Sequence, residues 1–191
     1  MNASETSVMK IEVSELRSAI PEMRAGGQIL LCGEIYTARD AAHTKLIRMI
    51  DTGGELPFDI NGNVIYYAGP TPGGARPVGA CGPTTSGRMD AFTPQLYDSG
   101  LLATIGKGER SAAVRDAIVR NKAVYLCAVG GAGALIAKHV VKSEEIAFHE
   151  LGCESIKRLT VESMPLIVGI DCCGDSVFEL GRKRYELRVE N

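Results

Sequence analysis

The spacing of apolar and polar residues changes period repeatedly along this chain, and each change predicts an element. Gln28 to Tyr36 (QILLCGEIY) is a mostly apolar run, which predicts a strand covered on both faces. From Thr37 the spacing becomes helical, with Ala38, Ala41, Ala42, Leu46, Met49 and Ile50 on one face as far as Asp51. Upstream, Val13 to Gly27 reads as a short helix broken at Pro21 and closed by Gly26-Gly27. Val64 to Ala68 (VIYYA) is a second strand, and it runs into a glycine- and proline-dense stretch, Gly69 to Pro83, which predicts a loop. Long loops of this kind are often functional.

Ser86 to Ser99 reads as helical, restarted by Thr93-Pro94. Leu101 to Ile105 is a short strand and Ser111 to Arg120 a helix. Ala123 to Val129 is a buried strand, followed by the glycine turn Gly130 to Gly133 and a helix from Ala134 to Val141. Glu145 to Phe148, Ile156 to Val161 and Leu166 to Asp171 are three further strands. Cys173-Gly174-Asp175 turns into Ser176 to Leu180, and a charged tail closes the chain. Strands alternate with helices over the first two-thirds and then follow one another. That order predicts an α/β fold with a mixed sheet. At 191 residues the chain suits one domain over 1–191, with 1–27 as a lead-in segment.

Charge narrows the choice of partners. The formal net charge is −2, so no basic surface advertises nucleic acid or an anionic membrane. No apolar stretch reaches the roughly 18 residues of a membrane span. Met1 to Ile20 carries Glu5, Glu12 and Glu15 and lacks the apolar run of a secretory signal, so the expected compartment is the cytoplasm. The six cysteines (Cys32, Cys81, Cys127, Cys153, Cys172 and Cys173) show no C-x-x-C spacing. They are expected to be free thiols, and no metal site is expected on this chain.

Three places share one feature, a cation where a strand ends and a helix begins. In Thr37-Ala38-Arg39-Asp40, Thr37 and Asp40 stand at capping-box spacing, and Arg39 falls in a first turn, where the helix dipole disfavours it. Either Arg39 pairs with a nearby acid such as Asp40, or it joins the exposed helix amides in holding an anion. In Cys81 to Asp90, glycines and a proline set an unusual turn, and Thr84, Thr85 and Ser86 supply hydroxyls beside Arg88. Hydroxyls, amides and a guanidinium fork are what a carboxylate requires, although a capped turn without a ligand has the same composition. In Gly106-Lys107-Gly108 the glycines permit close approach to the backbone beside a lysine. Ligands of α/β sheets gather beyond the carboxyl ends of strands, and three cations there fit a substrate with two carboxylates. His43 lies one turn after Arg39 on the same face, and either borders the site or is a surface or half-buried histidine. The glycine turn at Gly130 lacks the order of a phosphate loop and predicts close packing instead.

These residues resemble a known family. GEIYTARDAAH (Gly33 to His43), AGP (Ala68 to Pro70), GPTTSGRMD (Gly82 to Asp90), GKG (Gly106 to Gly108), GGAGALIAK (Gly130 to Lys138) and HELGCES (His149 to Ser155) are similar to the C-terminal domain of class I fumarases. The resemblance implies a three-layer swivelling β/β/α domain and a hydro-lyase acting on fumarate and malate. The related activity is that of L(+)-tartrate dehydratase beta subunits; Gly87 and Asp90 look more like the fumarase version. It further implies a separate alpha subunit that carries a [4Fe–4S] cluster, completing a hetero-oligomer. Arg39, Arg88 and Lys107 would then bind the substrate carboxylates, with Thr84 and Thr85 beside the reacting carbons and Thr84 as a candidate for proton transfer. A different class, a stand-alone binding module for a small anion or nucleotide, rests on the glycine turns and helix starts alone.

Overall fold

The structure is a computed structural model and describes residues 8–186. The charged tail predicted after Leu180 continues a helix, Val177–Tyr185, and residues 187–191 lie outside the described residues. Seven strands form one mixed sheet in the order β1-β2-β3-β4-β5-β7-β6. They are β1 (Met9–Glu12), β2 (Gln28–Thr37), β3 (Val64–Tyr66), β4 (Ala103–Gly106), β5 (Val124–Cys127), β6 (Val140–Ala147) and β7 (Ile156–Ile170). Strands β1 to β5 run parallel to one another, while β7 runs antiparallel to β2, β5 and β6.

The pairings close on themselves. β2 pairs β3, β3 pairs β4, β4 pairs β5, β5 pairs β7, and β7 returns to β2. Such closure requires bent strands, and the bend is local. The β2–β7 register shifts between Leu31 and Gly33, and nearby in β7 Ser163 takes a left-handed backbone, φ +49°, with its N–H directed at the Cys32 sulfur. A bulge of this kind increases twist and turns the strand.

Period-two alternation then serves both faces of the central strands. Val64, Tyr66, Ile105, Val124 and Leu126 point into the ring, against Leu31, Leu159 and Val161. Ile65, Tyr67 and Tyr125 point outward, under α2 (Asp40–Asp51), α3 (Thr93–Asp98) and α4 (Ala112–Asn121). Leu46, Leu96 and Ile118 cover them and are fully buried, each contributing roughly 1.5–3 kcal/mol. The result is the three-layer β/β/α arrangement. No described helix is long and apolar enough to cross a membrane.

Several boundaries depart from the pattern. Thr37 ends β2 instead of capping a helix: its hydroxyl accepts the Lys157 N–H at 3.0 Å, and Arg39 occupies the N-cap position of α2. The capping-box pair therefore does not form. The helix expected to reach Val141 is the short α5 (Gly133–Ala137), and Val140 already belongs to β6. The two strands expected around Pro165 are one fifteen-residue strand, β7. Pro165 is tolerated because the chain bends just before it, at the bulge.

Candidate active site

Because β2, β3, β4 and β5 are parallel, their carboxyl ends lie along one edge, and the predicted cations stand on it. Arg39 follows the end of β2. The loop after β3 returns so that the Thr84 N–H donates to the Tyr67 carbonyl at 2.6 Å. Thr85 and Lys107 then form a parallel bridge, reinforced by Lys107 N–H to Thr84 O at 3.2 Å and Ser86 N–H to Lys107 O at 2.9 Å. The hydroxyl turn and the lysine loop are thus stitched together by main chain. Arg88, in the 3-10 turn Ser86–Met89, directs Nε to Asp40 Oδ1 at 2.9 Å and sets Nη2 2.7 Å from Oδ2. Asp40 adjoins Arg39 at the start of α2. One contact chain therefore runs Arg39, Asp40, Arg88, Thr85, Lys107.

Two glycines make the approach possible. A Cβ on Gly106 would stand 2.0 Å from Ser86 Oγ, so only glycine lets the hydroxyl turn lie against the end of β4. A Cβ on Gly69 would meet Arg39 Nη1 at 3.0 Å and the Cys153 carbonyl at 3.1 Å. Arg39 is wedged there, four-fifths buried, with Nη2 3.3 Å from Glu154 Oε1. The other Glu154 oxygen accepts the Ala41 N–H at 3.3 Å. Of the two expectations for Arg39, the acid is present, but it is Glu154 and not Asp40. The Lys107 stem passes Gly130, where an added Cβ would stand 3.5 Å from its Cδ. Among the described residues Lys107 has no ion-pair partner.

His43 sits beneath this edge and does not line it. Its side chain is fully buried, edge-on to Tyr67 at 5.3 Å, with Nδ1 2.9 Å from the Arg39 carbonyl oxygen. The neutral tautomer donates that hydrogen bond, and burial, with Arg110 nearby, pulls the pKa down to about 4. His43 supports the Arg39 backbone from within. His149 pairs with Glu145 at 2.6 Å at the end of β6 and contacts none of these cations among the described residues. Gly133 packs against Gly82, whose amide nitrogen is 3.1 Å from where a Cβ would be, so the glycine turn is a close contact between loops.

The residue that sequence reading missed is Arg110. Its side chain is wholly buried. Nε donates to Asp90 at 2.7 Å, Nη1 to Thr104 at 3.1 Å, and Nη2 to Thr93 at 2.8 Å and Tyr67 at 3.3 Å. Its guanidinium carbon lies 5.2 Å and 5.0 Å from the ring centres of Tyr67 and Tyr125. Tyr125 in turn bonds Ser86 Oγ at 2.9 Å and the Gly108 carbonyl at 2.8 Å. This network is the floor of the site, under both the hydroxyl turn and the lysine loop. The available signal was the set of tyrosines in predicted strands, whose buried hydroxyls need polar partners.

The cysteines do not form a metal-binding set. Cys32, Cys81 and Cys172 are buried, Cys127 is half-buried, and Cys153 and Cys173 are exposed at separate places. Burial pushes the Cys81 thiol up to about 12, away from the thiolate a metal requires. Among the described residues no three His, Cys, Asp or Glu side chains converge as metal ligands.

With this geometry, comparison with known proteins is decisive. Residues 1–181 match the family model described as Fumarase C-terminus. The chain belongs to that family. It is 37% identical over 185 residues to the anaerobic class I fumarate hydratase of Escherichia coli strain K12, covering 93% of this chain and 34% of that protein. It is 37% identical over 175 residues to a putative L(+)-tartrate dehydratase subunit beta of Methanocaldococcus jannaschii, covering 87% of this chain and 90% of that protein. The L(+)-tartrate dehydratase subunit beta of Escherichia coli strain K12 is 31% identical over 175 residues, covering 88% of this chain and 86% of that protein. The chain thus spans about a third of the fumarate hydratase and most of either beta subunit. Within this fumarase-type domain, Asp90 is engaged by Arg110 and by the Ser111 N–H at 2.6 Å. A side chain on Gly87 would meet nothing within 4 Å.

Proposed function

We propose that this chain is the small subunit of a class I fumarase-type hydro-lyase, contributing the carboxylate-binding half of a site completed by an alpha subunit. The observation that carries this reading is the meeting of Arg39, Arg88 and Lys107 around the Thr84–Thr85 turn, at one edge of a fumarase C-terminal fold. Fumarate and malate each carry two carboxylates, which guanidinium forks and an ammonium neutralise. Thr84 and Thr85 stand between the cations as donors. Among the described residues no base touches the Thr84 hydroxyl, so the proton-transfer group belongs to the other subunit.

The [4Fe–4S] cluster implied by the family is assigned to that subunit as well, because the cysteines of this chain lie apart and burial raises the thiol pKa of Cys81, Cys127 and Cys172. When bound, such a cluster supplies a Lewis-acid iron for the departing hydroxyl. The residues of this chain supply binding, orientation and charge neutralisation, worth several kcal/mol in comparable sites. L(+)-tartrate is the second reading, favoured by the match to beta subunits of nearly this length.

Co-expression with a cluster-bearing alpha subunit tests the proposal. The assembly is expected to hydrate fumarate while the isolated chain does not. Activity in the isolated, iron-free chain would refute the division of labour. Turnover of tartrate without malate would select the second reading. Tight ATP binding by the chain alone in calorimetry, with no response to malate or tartrate, would favour a stand-alone binding module.

A further inference from the structure

Both arginines assigned to the substrate already hold a carboxylate of this chain. Arg88 holds Asp40 and Arg39 holds Glu154, whereas Lys107 arrives unpaired among the described residues. An internal acid at such a site either competes with the substrate or orients the cation for it. The geometry at Arg88 separates the two.

Asp40 grips the side edge of the guanidinium, Nε at 2.9 Å and Nη2 at 2.7 Å. These two contacts hold the side edge of the guanidinium: Nε donates a hydrogen bond, and Nη2 makes a close ion-pair contact with Oδ2, which accepts no hydrogen bond. Nη1 and the second Nη2 hydrogen, at the opposite end, remain unengaged, and half of the side chain is exposed. A competing acid would hold that outer end instead. Asp40 is itself anchored as the first residue of α2, next to Arg39 at the N-cap. One helix start therefore delivers Arg39 directly and Arg88 through Asp40.

We propose that Asp40 is a positioning residue that holds Arg88 in the plane in which it meets a substrate carboxylate. The proposal rests on the hydro-lyase reading above, and its test tells the two apart. The assembled enzyme is prepared as wild type, D40N, D40E, R88A and the double variant D40N/R88A. Fumarate kinetics, calorimetric binding of succinate (a dicarboxylate that cannot react) and melting temperature are measured on each. D40N is expected to raise KM and weaken succinate binding roughly tenfold, with kcat within about threefold of wild type. D40E, which keeps the charge on a longer arm, should show the same direction at smaller size. In the R88A background D40N should add nothing, because Asp40 acts only through Arg88. Tighter or unchanged succinate binding in D40N would overturn the proposal, as would equal weakening with and without Arg88. If D40N fails to assemble, a D40E variant indistinguishable from wild type has the same force. A wild-type assembly that neither hydrates fumarate nor binds succinate would instead overturn the underlying reading, and this inference with it.

Discussion

Arg88 and Arg110 each stand 2.7 Å from an aspartate, yet the two pairs do opposite work. Arg110 has no exposed side-chain surface, spends Nε and both terminal nitrogens on four partners, and lies against two tyrosine rings. Arg88 is half exposed and keeps part of its fork free. Equal ion-pair lengths therefore say little about role. What decides is how many donors remain and whether water reaches them. A guanidinium buried with four of its five donors spent is a structural part, and one held by a single acid at the surface is available to a ligand.

The sharpest way to break this comparison is to remove each arginine and measure both stability and turnover. Arg110→Ala strands Asp90 and several hydroxyls, and breaking a buried pair costs about 3–5 kcal/mol. For a chain of this size that lowers the melting temperature by roughly 10 °C, read by calorimetry. Arg88→Ala is expected to cut kcat/KM of the assembled enzyme by about 10²–10³-fold, while the melting temperature stays within about 2 °C. A similar loss of stability in both variants would erase the distinction.

Acidity sharpens it further, because His43 lies between the floor and the rim. Its folded pKa, about 4, is below the unfolded value of 6.5, so the unfolded chain takes up the proton first. Stability is therefore full above pH 6.5 and falls as the pH drops toward 4, by about 2 kcal/mol at pH 5. His43→Gln should flatten that slope in melting temperatures taken between pH 8 and pH 5. The smallest effect belongs to Tyr125→Phe. It deletes the hydroxyl joining Ser86 to the Gly108 carbonyl, for about 1 kcal/mol and a few-fold rise in KM.

Local patterning made most of this legible. Long apolar runs announced β2 and β5, and helical periodicity announced α2 and α4, because those signals are set by burial on one face. Arg39, Arg88 and Lys107 stood out because each interrupts a strand-to-helix junction with a charge that stability alone would not choose. Arg110 follows Lys107 by three residues and offered no such contrast, since its burial depends on tyrosines from two distant segments. The same holds for Glu154, whose partner lies more than a hundred residues earlier. Local patterning reads β7 as two strands, and the bulge that lets one strand pass through Pro165 depends on β2. The placement of His43 under the site, not beside it, was likewise fixed by rings that no spacing rule connects to it.

The returning strand β7 has a consequence for how the chain is made. It neighbours β2, β5 and β6 at once, so the ring cannot shut before residues 156–170 leave the ribosome. Until then β2 and β5 expose backbone edges that other nascent chains can pair with. Synthesis of this chain should therefore be most sensitive to chaperone supply just before residues 156–170 emerge, while the seam is still open.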